Sequence, residues 1–99
     1  MKINVQSVNF NADQKLIDFI QRKLDKLDQF YDRIIEGDVY MKLDNNHKKE
    51  NKIVEVKLSI PGNDLVAKKE CTSFEEAADL VTEALGRQLR KRKEKVRGV

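Results

Sequence analysis

From Val54 onward the sequence spells out a β-hairpin. Val54, Val56, Leu58 and Ile60 alternate with Glu55, Lys57 and Ser59, the period of two that sets one strand face in a core and the other in water. Pro61-Gly62-Asn63-Asp64 supplies residues that reverse a chain, and Leu65 to Glu70 reads as the returning strand. A lone hairpin with one apolar face is only marginally stable in water, so the remaining residues must add strands and a cover. Residues 2 to 10 read as a strand in which Ile3 and Val5 alternate with polar residues. The phase then slips to Val8 and Phe10, which predicts a bulge or a bend. After Gly37, the residues Val39, Met41 and Leu43 alternate with Asp38, Tyr40, Lys42 and Asp44, a further strand. Asn11 followed by Gln14 fits a capping box opening a helix over residues 12 to 31, and Ser73 with Glu76 fits a second, opening a helix from Phe74 to about Lys93.

The expected order is β-α-β-β-β-α, an α+β fold with two helices packed on one face of a four-stranded sheet. That arrangement buries every apolar face and stripe at once and leaves the other sheet face wet. If the first β-α-β step joins parallel strands, its crossover is right-handed. With 99 residues there is room for one core, so residues 1–99 are expected to form a single domain. On the first helix Leu16, Ile17, Phe19, Ile20, Leu24, Leu27 and Phe30 share one arc. Lys15, Arg22 and Lys26 lie on one shoulder of it and Asp18, Asp25, Asp28 and Asp32 on the other. Lys23 falls inside the apolar arc near the basic shoulder, where its stem can cover the core while its ammonium reaches water. The second helix turns Phe74, Ala77, Ala78, Val81, Ala84, Leu85 and Leu89 inward.

The formal net charge of +3 hides a sharp division along the chain. Residues 1–85 hold 13 basic and 16 acidic side chains, whereas residues 86–99 hold seven basic side chains and only Glu94 as an acid. Glu75, Glu76, Asp79 and Glu83 begin the second helix, and Arg87, Arg90, Lys91, Arg92, Lys93, Lys95 and Arg97 end it. The helix dipole favours that order but acts only over the last turn, so it does not account for the whole basic run. A localised positive field points to a polyanion, either nucleic acid or an anionic membrane surface. Arg87 has Glu83 four residues before it, so an ordinary ion pair is its alternative use.

Catalysis is not expected. His47 and Cys71 are each the single residue of their type, which removes disulfide frameworks, thiolate metal clusters and most hydrolytic constellations. Asp25, Asp28 and Asp32 share a helix face but lack a gathering loop. Asp44-Asn45-Asn46 starts like a calcium loop, but Lys48 and Lys49 occupy positions that loop reserves for a ligand and a glycine. His47 reads as a solvated loop residue or a phosphate neighbour rather than a base, and Cys71 as a small buried apolar group. No glycine-rich phosphate cradle exists, and neither a metal nor a cofactor is expected. No run approaches the length of a membrane span, and Met1 to Val5 does not begin a signal peptide, so a cytoplasmic location is expected.

A membrane-surface helix needs bulky apolar residues opposite its cations, and residues 86–99 offer only Leu89 and Val96. Nucleic acid fits better. Phe10, Phe19, Phe30 and Phe74 are claimed by the core, which leaves Tyr31 and Tyr40 partly free as stacking platforms. Backbone recognition of a structured RNA is therefore expected, governed more by shape than by base sequence.

The chain resembles the ribosome hibernation promoting factor family, also known as ribosome-associated inhibitor A or sigma-54 modulation protein. The resemblance rests on Lys23-Leu24-Asp25-Lys26-Leu27 running into Phe30-Tyr31-Asp32-Arg33-Ile34-Ile35, on Pro61-Gly62 with Leu65 and Ala67, and most specifically on Arg87-Gln88-Leu89-Arg90-Lys91-Arg92-Lys93-Glu94-Lys95. It implies a β-α-β-β-β-α fold similar to a double-stranded-RNA-binding domain. It also implies binding to the small ribosomal subunit between head and body, over the sites of mRNA and of A- and P-site tRNA, silencing translation in starvation or stationary phase. The rRNA-contacting cations it implies are Lys23, Lys26, Arg87, Arg90 and Lys91, with Arg22, Lys93 and Lys95 added by position. Two departures stand out: Gly86 replaces a usual glutamate, and Thr72-Ser73-Phe74 replaces a common Asp-Met-Tyr. The sequence ends at Val99 without the dimerisation domain of long forms, so a short form is expected. A short form would be monomeric off the ribosome, and in some bacteria it acts on 70S ribosomes with a separate ribosome modulation factor. The competing expectations are a sigma-factor regulator and a general double-stranded-RNA module.

Overall fold

The computed structural model describes residues 1–44 and 49–97, the last four by backbone alone. The elements are β1 (Lys2–Val8), α1 (Gln14–Phe30), β2 (Glu36–Leu43), β3 (Lys52–Ile60), β4 (Asn63–Cys71) and α2 (Phe74–Arg97), the predicted order. The strands form one sheet in the order β1-β2-β3-β4, with β1 parallel to β2 and the other neighbours antiparallel.

Register explains the core. Val5 lies beside Val39, Val39 beside Val56 and Val56 beside Ala67, one row across the sheet that points at the helices. Met41, Val54 and Leu58 are buried on the same face, and they meet Leu16, Ile20, Leu24 and Leu27 of α1 and Ala77, Ala78, Val81, Leu85 and Leu89 of α2. Burying each large side chain stabilises the fold by roughly 1.5–3 kcal/mol. Phe19 and Phe30 close the margin of this cluster, while Ile17 is half-buried outside it. Asn4, Asp38, Tyr40, Glu55 and Lys57 line the opposite, open face. Gly62 sits at φ 81°, the left-handed conformation that the tight reversal from Ile60 to Asn63 requires.

Three boundaries differ from the sequence expectation. The strand predicted over residues 2 to 10 ends at Val8, because Asn9 adopts φ 69° and its side-chain amide donates to the Leu43 carbonyl at 3.1 Å. Asparagine tolerates that conformation better than most residues, and the bend is the structural form of the phase slip. It swings Phe10 out of the strand to stack on Phe74, with ring centroids 4.4 Å apart. The first helix therefore starts at Gln14 rather than residue 12, and Asp13, not Asn11, caps it by accepting from the Leu16 amide at 2.8 Å. At α2 the predicted cap holds: the Glu76 amide donates to Ser73 Oγ at 3.1 Å. The Glu76 carboxylate accepts from the Thr72 hydroxyl at 3.1 Å. Cys71 is buried just before this cap, and burial, followed by the charge of Glu76, pushes its thiol up. α2 continues about one turn beyond Lys93, to Arg97. His47 lies outside the described residues.

Candidate nucleic-acid interface

Lys23 of α1 and Arg90 and Lys93 of α2 lie along the seam between the two helices. The helices run in the same sense. Lys23 reaches Asp79, Leu27 faces Gly86, and Phe30 meets Arg90 and Lys93. Lys23 Nζ lies 2.7 Å from Asp79 Oδ1 and 5.3 Å from the Phe19 ring centroid, so its stem covers apolar surface as the helical arc predicts. Arg22 and Lys26 are exposed one turn apart on the flank of α1 beside this seam.

On α2, Arg87 is exposed and pairs with Glu83 at 3.0 Å, its anticipated alternative use. Arg90 is exposed with its guanidinium 5.9 Å from the Phe30 centroid, a contact of about 0.5–1 kcal/mol. Lys91 is exposed and, one helical step of about 100° from Arg90, lies on the flank away from α1. Lys93 Nζ donates to the Phe30 carbonyl at 3.2 Å and stands 4.9 Å over the Phe30 ring. Lys95 lies in α2, but its side chain is outside the described residues. Among the described residues Arg22, Lys26, Arg90 and Lys91 make no ion pair, whereas Lys23 and Arg87 are each held by a carboxylate.

Sequence reasoning counted Arg92 with the basic run and gave it no separate role. Its Nη2 donates to the Pro61 carbonyl at 3.1 Å, and its Nε is buried without a partner among the described residues. The signal was present: Arg92 follows Leu89 by three residues and Leu85 by seven, which places it on the apolar stripe of α2.

The acidic shoulder of α1 is used internally. Asp25 and Asp28 both accept from the Met1 ammonium, Asp25 at 3.0 Å. Its hydrogen bonds to Asp28 and then to Asp25 raise the ammonium pKa above its ordinary value of 8.0. Burial alone would raise the Asp25 carboxyl, but the ammonium and the Gln21 amide, 2.8 Å away, outweigh it and hold that group below its ordinary value. The open sheet face carries charges of both signs, with Asn4 donating to Asp38 at 3.0 Å and to Glu36 at 3.3 Å. It offers no comparable excess of cations. No helix among the described residues is long and apolar enough to cross a membrane.

Comparison with known proteins supplies the family. The chain is 34% identical over 95 residues to the ribosome hibernation promoting factor of Pseudomonas putida, covering 96% of this chain and 89% of that protein. It is 35% identical over 98 residues to the ribosome hibernation promotion factor of Bacillus subtilis, covering 97% of this chain but only 50% of that protein. Among solved structures, a ribosomal subunit interface protein from Coxiella burnetii superposes with a TM-score of 0.83 at 24% identity, over 94% of this chain and 98% of that one. The family model described as sigma 54 modulation protein / S30EA ribosomal protein matches residues 3–97, and the chain belongs to that family.

Proposed function

We propose that this chain is a ribosome hibernation factor, which lodges against small-subunit rRNA in the decoding channel. There it blocks mRNA and the A- and P-site tRNAs by occupying their space. Chemistry at the site is limited to charge: Arg22, Lys23, Lys26, Arg87, Arg90 and Lys91 face rRNA phosphates, and the sheet behind them keeps the two helices at a fixed spacing. The observation that carries the reading is the seam, where two helices of one small fold present cations with few acids to neutralise them. The family membership and the names of its relatives agree with it. The pairs Lys23–Asp79 and Arg87–Glu83 do not oppose it, because exposed ion pairs contribute only about 0–1 kcal/mol and exchange readily for phosphate. A sigma-factor target would not call for the cation excess. In the cell the chain works in the cytoplasm as a monomer off the ribosome. Cooperation with a separate ribosome modulation factor on 70S particles belongs to the same reading.

Co-sedimentation with isolated small subunits tests this function. Saturable one-to-one binding that excess tRNA competes away is the expected result. Binding that follows total RNA without saturating would replace the reading with that of a general RNA module. If about six phosphates are neutralised, affinity should fall on the order of a thousandfold between 50 and 200 mM salt.

A further inference from the structure

The basic end of α2 has a weak point and three straps. Gly86 precedes it, and a glycine inside a helix costs about 1 kcal/mol relative to alanine. In the turn after Leu89 the stripe position falls to Arg92, so hydrophobic burial does not hold that turn in place. Instead, three side chains bond to backbone carbonyls far away in sequence. Gln88 Nε2 donates to Val66 O at 3.1 Å, Arg92 Nη2 to Pro61 O at 3.1 Å, and Lys93 Nζ to Phe30 O at 3.2 Å. One of these acceptors needs such a donor. Phe30 O belongs to the last turn of α1, where carbonyls lack intrahelical partners, and that last turn contains no basic residue. Pro61 O lies in the hairpin turn after β3. Half-buried Arg92, whose Nε is desolvated without a partner, cannot present its whole guanidinium to a ligand outside.

We propose that Arg92 and Lys93 are positioning residues: they dock the second half of α2 on the hairpin turn and on the end of α1, and so aim Arg87, Arg90 and Lys91 at the rRNA. The inference rests on the ribosomal reading and divides the basic run into cations that touch phosphate and cations that hold the helix. The two roles differ in salt dependence, since each neutralised phosphate contributes about 0.9 to the slope of log affinity against log salt.

The experiment measures small-subunit affinity between 50 and 200 mM salt, a range over which the affinity should change by about three log units, for the wild type, Arg92→Met, Lys93→Met and Arg90→Met. The expected result for Arg92→Met is about a tenfold loss of affinity at every salt concentration, the size of one charge-assisted hydrogen bond, with the slope unchanged. Lys93→Met should behave alike, whereas Arg90→Met should flatten the slope by about 0.9. Adding Gly86→Ala to Arg92→Met should recover part of the loss, since it stiffens the helix and its new Cβ would lie 3.7 Å from Leu27 Cδ2, an ordinary contact. A flatter slope in Arg92→Met or Lys93→Met overturns the assignment, and so does undiminished affinity. If the wild type fails to bind small subunits, the ribosomal reading fails by itself. Amide exchange then decides the positioning role: faster exchange over residues 90–97 in Arg92→Met, with Val81 and Leu85 still protected, supports it, and unchanged exchange overturns it.

Discussion

The two halves of α2 are held by different physics. From Phe74 to Leu85 the helix lies on the sheet through Ala77, Ala78, Val81 and Leu85, all between 0 and 3% exposed. Beyond Leu89 the stripe position falls to Arg92, and side-chain hydrogen bonds to Pro61 and Phe30 take over from burial. Hydrophobic burial is non-directional and shared among many neighbours, so the first half is bound up with the stability of the whole fold. Hydrogen bonds are directional and individually modest, so the second half can loosen while the core stays folded. That separation leaves residues 86–97 free to carry a charge excess that a buried helix could not.

The contrast breaks most visibly at Leu85. Leu85→Ala should cost about 3 kcal/mol, lowering the melting temperature by roughly 15 °C in calorimetry as one cooperative transition. A second, separate transition would show that the first half of α2 is not bound up with the stability of the whole fold. The next largest effect is the mirror image: Arg90→Glu with Lys91→Glu should reduce small-subunit affinity at least about a hundredfold and shift the melting temperature by no more than about 2 °C. If the double variant unfolds instead, these cations are part of the scaffold. Gly86→Ala probes the junction between the halves and should stabilise the protein by about 0.5–1 kcal/mol in denaturant titration.

Alkaline pH gives the smallest effect and acts only on the buried side of the comparison. Cys71, at the doorstep of α2, is raised from 9.0 by burial, and the Met1 ammonium beside α1 is raised from 8.0 by Asp28 and Asp25. In both cases the folded state holds its proton to higher pH than the unfolded chain does. Their contribution is therefore complete below about pH 8 and lost as pH rises through the raised folded values. Melting temperature should fall slightly above pH 8, and Cys71→Ala should remove the part that begins near pH 9. A rise in stability over that range would contradict the burial of Cys71.

Much of the architecture could be read directly from local pattern. The alternation of Val54 to Ile60, the Pro61-Gly62 reversal and the Ser73 cap each act over two to four residues, and the structure keeps all three. The start of α1 escaped because the choice between Asn11 and Asp13 depends on where Phe10 points. That direction is set by Phe74, a residue 64 positions away. The candidate site was legible as a charge run but not as a division of labour. Arg90 and Arg92 are the same residue type two positions apart, one exposed beside Phe30 and the other half-buried against Pro61.

Composition and periodicity by themselves determined the element order, the apolar faces, and a basic end to a helix that begins acidic. These follow from local geometry, the period of a strand or helix and the reach of a cap, and every such signal lies within one segment. Only the tertiary structure decided which carboxylate neutralises Lys23 and which carbonyls Arg92 and Lys93 satisfy, and hence which cations remain unpaired. Those pairings join residues that are distant in the chain, and they exist only once the sheet has fixed the two helices side by side.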